Sequence, residues 1–190
     1  MDLNEFSALF SMEWERNKDS ADYSKMPEPN ARLACWEYLQ VYYKERLKLL
    51  NPLNKEAIEI FLKFKIRNKD REMLITGKCD MIDKSGWLID HKTSGREKKQ
   101  EDYSNDPQAF IYPVGLIQMG YDIKGTQFSI AGKKKCQAFN VPFDKVRANA
   151  ILAECLRYQE DFENENFLRA RYPHICRFCE WSSICPDRLT

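Results

Sequence analysis

The sequence has no apolar run approaching the roughly 18 residues that a membrane-spanning helix requires, and Met1 to Phe10 lacks the charged-then-apolar layout of a secretory leader. These absences exclude an integral helical membrane protein and an exported one. The chain is expected to be soluble and cytoplasmic, with no membrane partner. An excess of charge of either sign is missing too: 30 Lys and Arg stand against 29 Asp and Glu, a formal net charge of +1, which excludes capture of a polyanion by a global field. What basic charge there is comes in clusters, Arg96, Lys98 and Lys99, then Lys133, Lys134 and Lys135, so a polyanion would be held at a site. Internal repeats and low-complexity segments are also absent, which excludes a solenoid. Histidine is scarce, with His91 and His174 the only two. The cysteines, seven in number, are odd and unevenly spaced, which argues against a secreted disulfide framework and for a reducing compartment.

What is present suits one globular domain. A length of 190 residues with 43% hydrophobic and 13% aromatic content can bury a substantial core. We divide it into a helical N-terminal part (1–56), a core (57–168) and a cysteine-rich tail (169–190). Helices are expected over Asn4 to Glu15 and Asn30 to Leu50, with Pro27 and Pro29 in the polar stretch between them. From Ala57 the period becomes two, placing Ile58, Ile60, Leu62, Phe64 and Ile66 on one face and Glu59 on the other. A second strand over Met73 to Ile82, a turn at Asp83 to Gly86 and a third strand over Trp87 to Lys92 complete a meander. Ser94 to Asn105 reads as a loop. Asp106 as N-cap and Pro107 then start a helix reaching Met119. Strands over Thr126 to Ala131 and Cys136 to Val141 precede a helix from Asp144 to Phe162, striped by Ile151, Leu152, Cys155, Leu156 and Phe162. The expected fold is α/β, a central mixed sheet flanked by helices.

The third strand carries the clearest chemistry. Alternation puts Asp90 and Lys92 on one face and His91 on the other. With Lys84 to Gly86 as a three-residue loop and Gly86 left-handed, Asp83 faces Trp87 and Asp80 falls opposite Asp90. Like charges directly opposite destabilise a sheet, so the pair makes sense if a cation bridges it. A hard divalent ion suits two carboxylates. The other reading of Asp80, Asp90 and Lys92 is an ordinary solvated strand face. Gln108 and Tyr112, four apart, share a helix face, directed at a site or belonging to a capped helix with one buried Tyr. Glu59 is either a further metal ligand or a solvated strand residue.

Three strings stand in order: Gly77 to Asp80, Leu88 to Thr93, and Asp106 to Tyr112. Together they resemble the RecB-like branch of the PD-(D/E)XK nuclease superfamily, in which a Gly-x-x-Asp strand precedes an apolar-apolar-Asp-x-Lys-Thr strand and a helix bearing Gln-x-x-x-Tyr. The resemblance covers about Glu59 to Cys185. It implies a restriction-endonuclease-like fold and a metal-dependent DNA nuclease, an exonuclease on single strands or DNA ends. It also implies that Asp80, Asp90 and the backbone carbonyl of His91 hold Mg2+ or Mn2+, with Glu59 as a further ligand. Lys92 would position or activate the attacking water, and Gln108 and Tyr112 would touch the metal site or the DNA. Arg96, Lys98 and Lys99 would grip the strand, and Tyr103 would stack on splayed bases. Beyond DNA, the implied partners are a helicase or another recombination or CRISPR-adaptation protein.

Cys176, Cys179 and Cys185 form a C-x2-C-x5-C pattern around Phe178 and Trp181, closed by Pro186. By spacing this is a Zn2+ knuckle, or free cysteines buried in a small aromatic cap. Iron-sulfur members of the resembled branch, AddB-like and CRISPR-associated exonuclease-like, end in three such cysteines, which implies a 4Fe-4S cluster. The branch's upstream Cys-Pro motif and His-bearing helix do not occur before Glu59. The chain is therefore expected to begin just after the segment that holds them, which would impair cluster loading and cleavage. The alternative function is a retained nuclease fold that binds DNA or a partner without cutting. Cys35, beside Ala34 and near Leu39, reads as core packing, and Cys79, Cys136 and Cys155 as small buried residues.

Overall fold

The computed structural model describes residues 2–166 together with Cys179, Ser183 and Ile184. Helix α1 (Leu3–Asn17) starts at Asp2, whose carboxylate accepts the N–H groups of Asn4 and Glu5 while the Glu5 side chain accepts the Asp2 N–H. This capping box satisfies donors that a first helical turn leaves free. Helix α2 (Glu28–Glu45) carries Pro29 in its first turn, where a missing N–H is tolerated. It stops at Glu45 and not Leu50, and a 3-10 turn over Leu47–Leu49 takes the remainder. The two helices meet through rings, Phe6 and Phe10 on Trp36 and Phe6 on Tyr43, with centroids 5.0–6.0 Å apart. Neither helix buries a residue fully. Cys35 is consequently exposed and not a core residue, since among the described residues its side of α2 faces an open groove.

Five strands follow: β1 (Ile58–Arg67), β2 (Glu72–Ile82), β3 (Trp87–Ser94), β4 (Gly125–Gly132) and β5 (Cys136–Pro142). They form one mixed sheet in the order β1-β2-β3-β4-β5, antiparallel except for the parallel pair β3 and β4. A parallel pair needs a long crossover. Here it is made by α3 (Glu101–Ser104) and α4 (Gln108–Gln118). The stretch read as loop therefore contains a helical turn. Its Tyr103 is buried, stacked on Phe128 and Phe139, and cannot serve as a base-stacking platform. In the β2–β3 loop the Asp83 N–H donates to the Trp87 carbonyl at 2.9 Å, and Gly86 has φ +84°, the left-handed turn that glycine allows.

The dry core lies on one face of the sheet. Ile60, Leu62 and Leu88 pack on Leu116 of α4, and Phe128 and Ile130 on Phe110. Phe64 and Ile66 meet Leu152 and Leu156 of α5 (Lys145–Glu163), whose start is capped by the Asp144 carboxylate. Phe162, expected in that stripe, is 70% exposed because it lies in the last turn, past the sheet. The other face is covered by α2, where Arg46, just past the helix, donates to Gln127 Oε1 and Ser129 Oγ at 2.6 and 3.3 Å. No helix among the described residues is long and apolar enough to cross a membrane.

Candidate active site

The pairing of β2 with β3 consists of Met81 with Ile89 and Ile82 with Leu88. That register sets Asp80 opposite Asp90, but there the ladder opens, and the His91 N–H donates to Asp80 Oδ2 at 2.6 Å. A second irregularity coincides with the fork. Ala57 and Ile60 belong to one core cluster, as do Cys79 and Ile82, so both strands change face within three residues, between pairs of unbroken register. Glu59 makes the change on β1 with φ +57°, a conformation costing about 1–3 kcal/mol in a non-glycine residue and concentrated at functional sites. It leaves Ile58 45% exposed and not on the inward face with Ile60. Asp80, opposite Glu59, sits at the break in the pleat, and its carboxylate turns along the sheet toward β3.

Asp90 is only 5% exposed and lies on the α4 side. Gln108, in the first turn of α4, donates through Nε2 to Asp90 Oδ1 at 2.7 Å and accepts from Lys92 Nζ at Oε1 at 3.0 Å. One amide thus orients both the acid and the base. The Asp106 carboxylate fixes this turn by accepting the Gln108 N–H at 2.9 Å. A turn further on, the Tyr112 ring lies against Gly77, where a Cβ would approach Tyr112 Cε1 to 3.0 Å. The glycine of Gly-x-x-Asp and the tyrosine of Gln-x-x-x-Tyr are therefore one contact, which docks α4 on β2.

Lys92 Nζ stands 2.9 Å from Asp90 Oδ2. Oδ2 is buried, and the Lys92 ammonium is its one partner among the described residues. Burial raises the Asp90 pKa; Lys92 opposes this, while Asp80 and Asp106 add to it, and the net shift is upward. Burial lowers the Lys92 pKa, but Asp90, Asp106 and Asp80 outweigh it, so its pKa is raised and the side chain is an ammonium. A buried carboxylate whose charge burial and a second carboxylate disfavour, and which one ammonium offsets only in part, is a place where a further cation would be stabilised. The donors are all oxygen, which suits a hard ion of the Mg2+ or Mn2+ kind, and two protein carboxylates suffice where water and phosphate complete the shell. Among the described residues no three His, Cys, Asp or Glu side chains converge as a ready-made cage. The Glu59 carboxylate instead pairs with Lys78.

The expected strand-gripping residues lie farther along β3. Arg96 and Lys99 are exposed, and the Lys98 backbone is clasped by Gln137 of β5, with bonds of 2.9 Å in both directions. Cys176 and Cys185 lie outside the described residues, and Cys179 is an exposed free thiol. Sequence reasoning missed Tyr42, whose hydroxyl shares a 2.9 Å hydrogen bond with His91 Nδ1 and whose ring meets the imidazole edge-on at 5.4 Å. The signal available was ring spacing: Phe10 with Trp14 and Tyr38 with Tyr42 each recur at four.

Two acids and a lysine stand at the fork of a mixed sheet, and a glutamine on the crossover helix binds one of the acids and the lysine. The family model of the PD-(D/E)XK nuclease superfamily matches residues 1–186, and the chain belongs to that superfamily. Its members generally use Mg2+ or Mn2+. The fold is similar to the crystal structure of SSO0001, at TM-score 0.56 and 20% identity over 96% of this chain and 81% of that one. It is also similar to the structure of a Eubacterium rectale protein named "Putative exonuclease", at TM-score 0.51 and 14% identity over 98% of this chain and 71% of that one. No curated protein matches the sequence.

Proposed function

We propose that this chain is a Mg2+- or Mn2+-dependent deoxyribonuclease, an exonuclease on single strands or DNA ends. The observation that carries the reading is the buried Asp90 carboxylate, held by Gln108 at one oxygen and by the Lys92 ammonium at the other. Asp80, Asp90 and the His91 carbonyl would hold the ion. When bound there it lowers the pKa of a coordinated water and offsets charge on the phosphate. Lys92, cationic at neutral pH, acts as an electrostatic partner of the phosphate and as a positioner of the attacking water, because an ammonium has no lone pair with which to take a proton. Arg96 and Lys99 contact the strand backbone.

Degradation of labelled single-stranded DNA with Mg2+ or Mn2+ tests the proposal. Lys92→Ala should lower kcat about 100-fold or more; cleavage unchanged by it would remove the mechanism and favour a DNA-binding domain that does not cut. For the tail we propose a RecB-like, iron-sulfur reading, with Cys176, Cys179 and Cys185 as cluster ligands. Anaerobically purified protein should then show iron and visible absorption, whereas zinc or no metal would refute it.

A further inference from the structure

Two grooves lie end to end over the carboxyl ends of β3 and β4. The first, of about 660 Å³, runs between α1, α2 and residues 91–93 of β3. Its walls are almost wholly apolar, with rings supplied by Phe10 and Trp14 from α1 and by Tyr38 and Tyr42 from α2. The second, of about 460 Å³, is walled by Arg96, Lys133, Lys134 and Lys135. Thr93 and Ala131 pair in the first groove, and Ser94 and Gly132, the next pair of the same ladder, open the second. They meet where Gly95 lies under Tyr38: a Cβ there would stand 3.5 Å from the phenol oxygen. Arg96 and the Lys133 to Lys135 cluster, far apart in sequence, thus share one groove, in which Glu97 pairs with Lys135 at 2.5 Å.

An aromatic trough continuous with a cationic one fits a ligand made of flat apolar plates strung on an anionic chain. A duplex stacks its plates inside and would turn phosphates to the apolar wall, whereas a single strand presents both features at once. The rings are already oriented. Trp14 Nε1 donates to Glu28 Oε1 at 2.6 Å and the Tyr42 hydroxyl is bonded to His91, so little ordering is left for binding to impose. His91 joins the groove to the chemistry, since it lines the trough, bonds Tyr42 and donates its backbone N–H to Asp80. Resting on the nuclease reading above, we infer that the substrate is single-stranded DNA, with bases seated on Phe10, Trp14, Tyr38 and Tyr42 and phosphates on Arg96 and Lys133 to Lys135.

The test is binding of a short fluorescein-labelled oligothymidylate, followed by anisotropy in EDTA so that cleavage is silent, with a blunt duplex of equal length as competitor. Trp14→Ala and Tyr38→Ala should each weaken binding about 5- to 150-fold, the loss expected for one stacked base, with Tyr38→Phe retaining it. Replacing Lys133, Lys134 and Lys135 by Ala should lower the log-log salt slope by about two. A measurement needing no variant guards against misfolding: Cys35 lines the trough and is exposed, so the oligonucleotide should slow its alkylation in the wild-type protein, mapped by mass spectrometry. Equal competition by duplex, wild-type affinity in cooperatively melting ring variants, or an unprotected Cys35 would overturn the inference. The last result would point to another occupant, such as residues 167–190 or a second copy. Binding in EDTA can succeed without any cleavage, and cleavage can survive in ring variants that bind normally, so this test and that of the nuclease reading fail independently.

Discussion

Asp90 illustrates a residue held in a state the fold alone does not favour. Its pKa is raised, chiefly by burial, so the stability linked to it is fully present below the ordinary carboxylate pKa and lost as pH rises through the raised value. Asp90→Asn should therefore raise the melting midpoint of the metal-free protein at neutral pH, while abolishing cleavage. A lower midpoint in scanning calorimetry would refute this account. Gln108 touches both Asp90 and Lys92. Gln108→Ala should cost about 10–100-fold in activity, as loss of a residue that orients metal ligands does, with kcat falling more than KM rises in steady-state assays. Cys79 differs from Cys35 by location alone: burial, with Asp80 and Asp90 adding, pushes its thiol up to about 12. At pH 8 iodoacetamide should modify Cys35 and leave Cys79 intact until the protein unfolds, as peptide mapping would show.

At the scale of elements, the fork between β2 and β3 and the docking of α4 together build the site. Gly77 admits the Tyr112 ring, and Gly77→Ala should destabilise by about 1–3 kcal/mol through overpacking. Adding Tyr112→Ala should make the double change cost less than the sum of the singles in denaturant titrations, because one removes what the other obstructs. Much of this was legible beforehand. Strand alternation placed Asp90 and Lys92 together, and the three-residue loop with Gly86 set the register, because both depend on local backbone geometry. What was not legible is the change of face at Glu59 and Asp80, which takes a left-handed residue that no glycine announces. The same break explains why Ile58 turns outward although its spacing assigned it to the core.

In the whole molecule, the two faces of the sheet are unequal. The α4 and α5 side is a dry core, whereas α1 and α2 cover the other side with half-buried rings and no fully buried residue. Hydrogen exchange should accordingly show α1 and α2 opening well before β3 and β4; equal protection would mean that one cooperative unit spans both faces. The amino-acid sequence by itself determined the order and type of the long elements, the hairpin register and the shared face of Asp90 and Lys92, all of which follow from side-chain period and turn chemistry over a few residues. Only the tertiary structure decided the rest: it buried Tyr103, exposed Cys35, set Gln108 between Asp90 and Lys92, and brought Arg96, Lys133 to Lys135 and four rings into adjoining grooves. Those outcomes depend on which surfaces the β3–α4–β4 crossover and the α2 layer bring into contact, and such contacts between distant segments leave no local period in the chain.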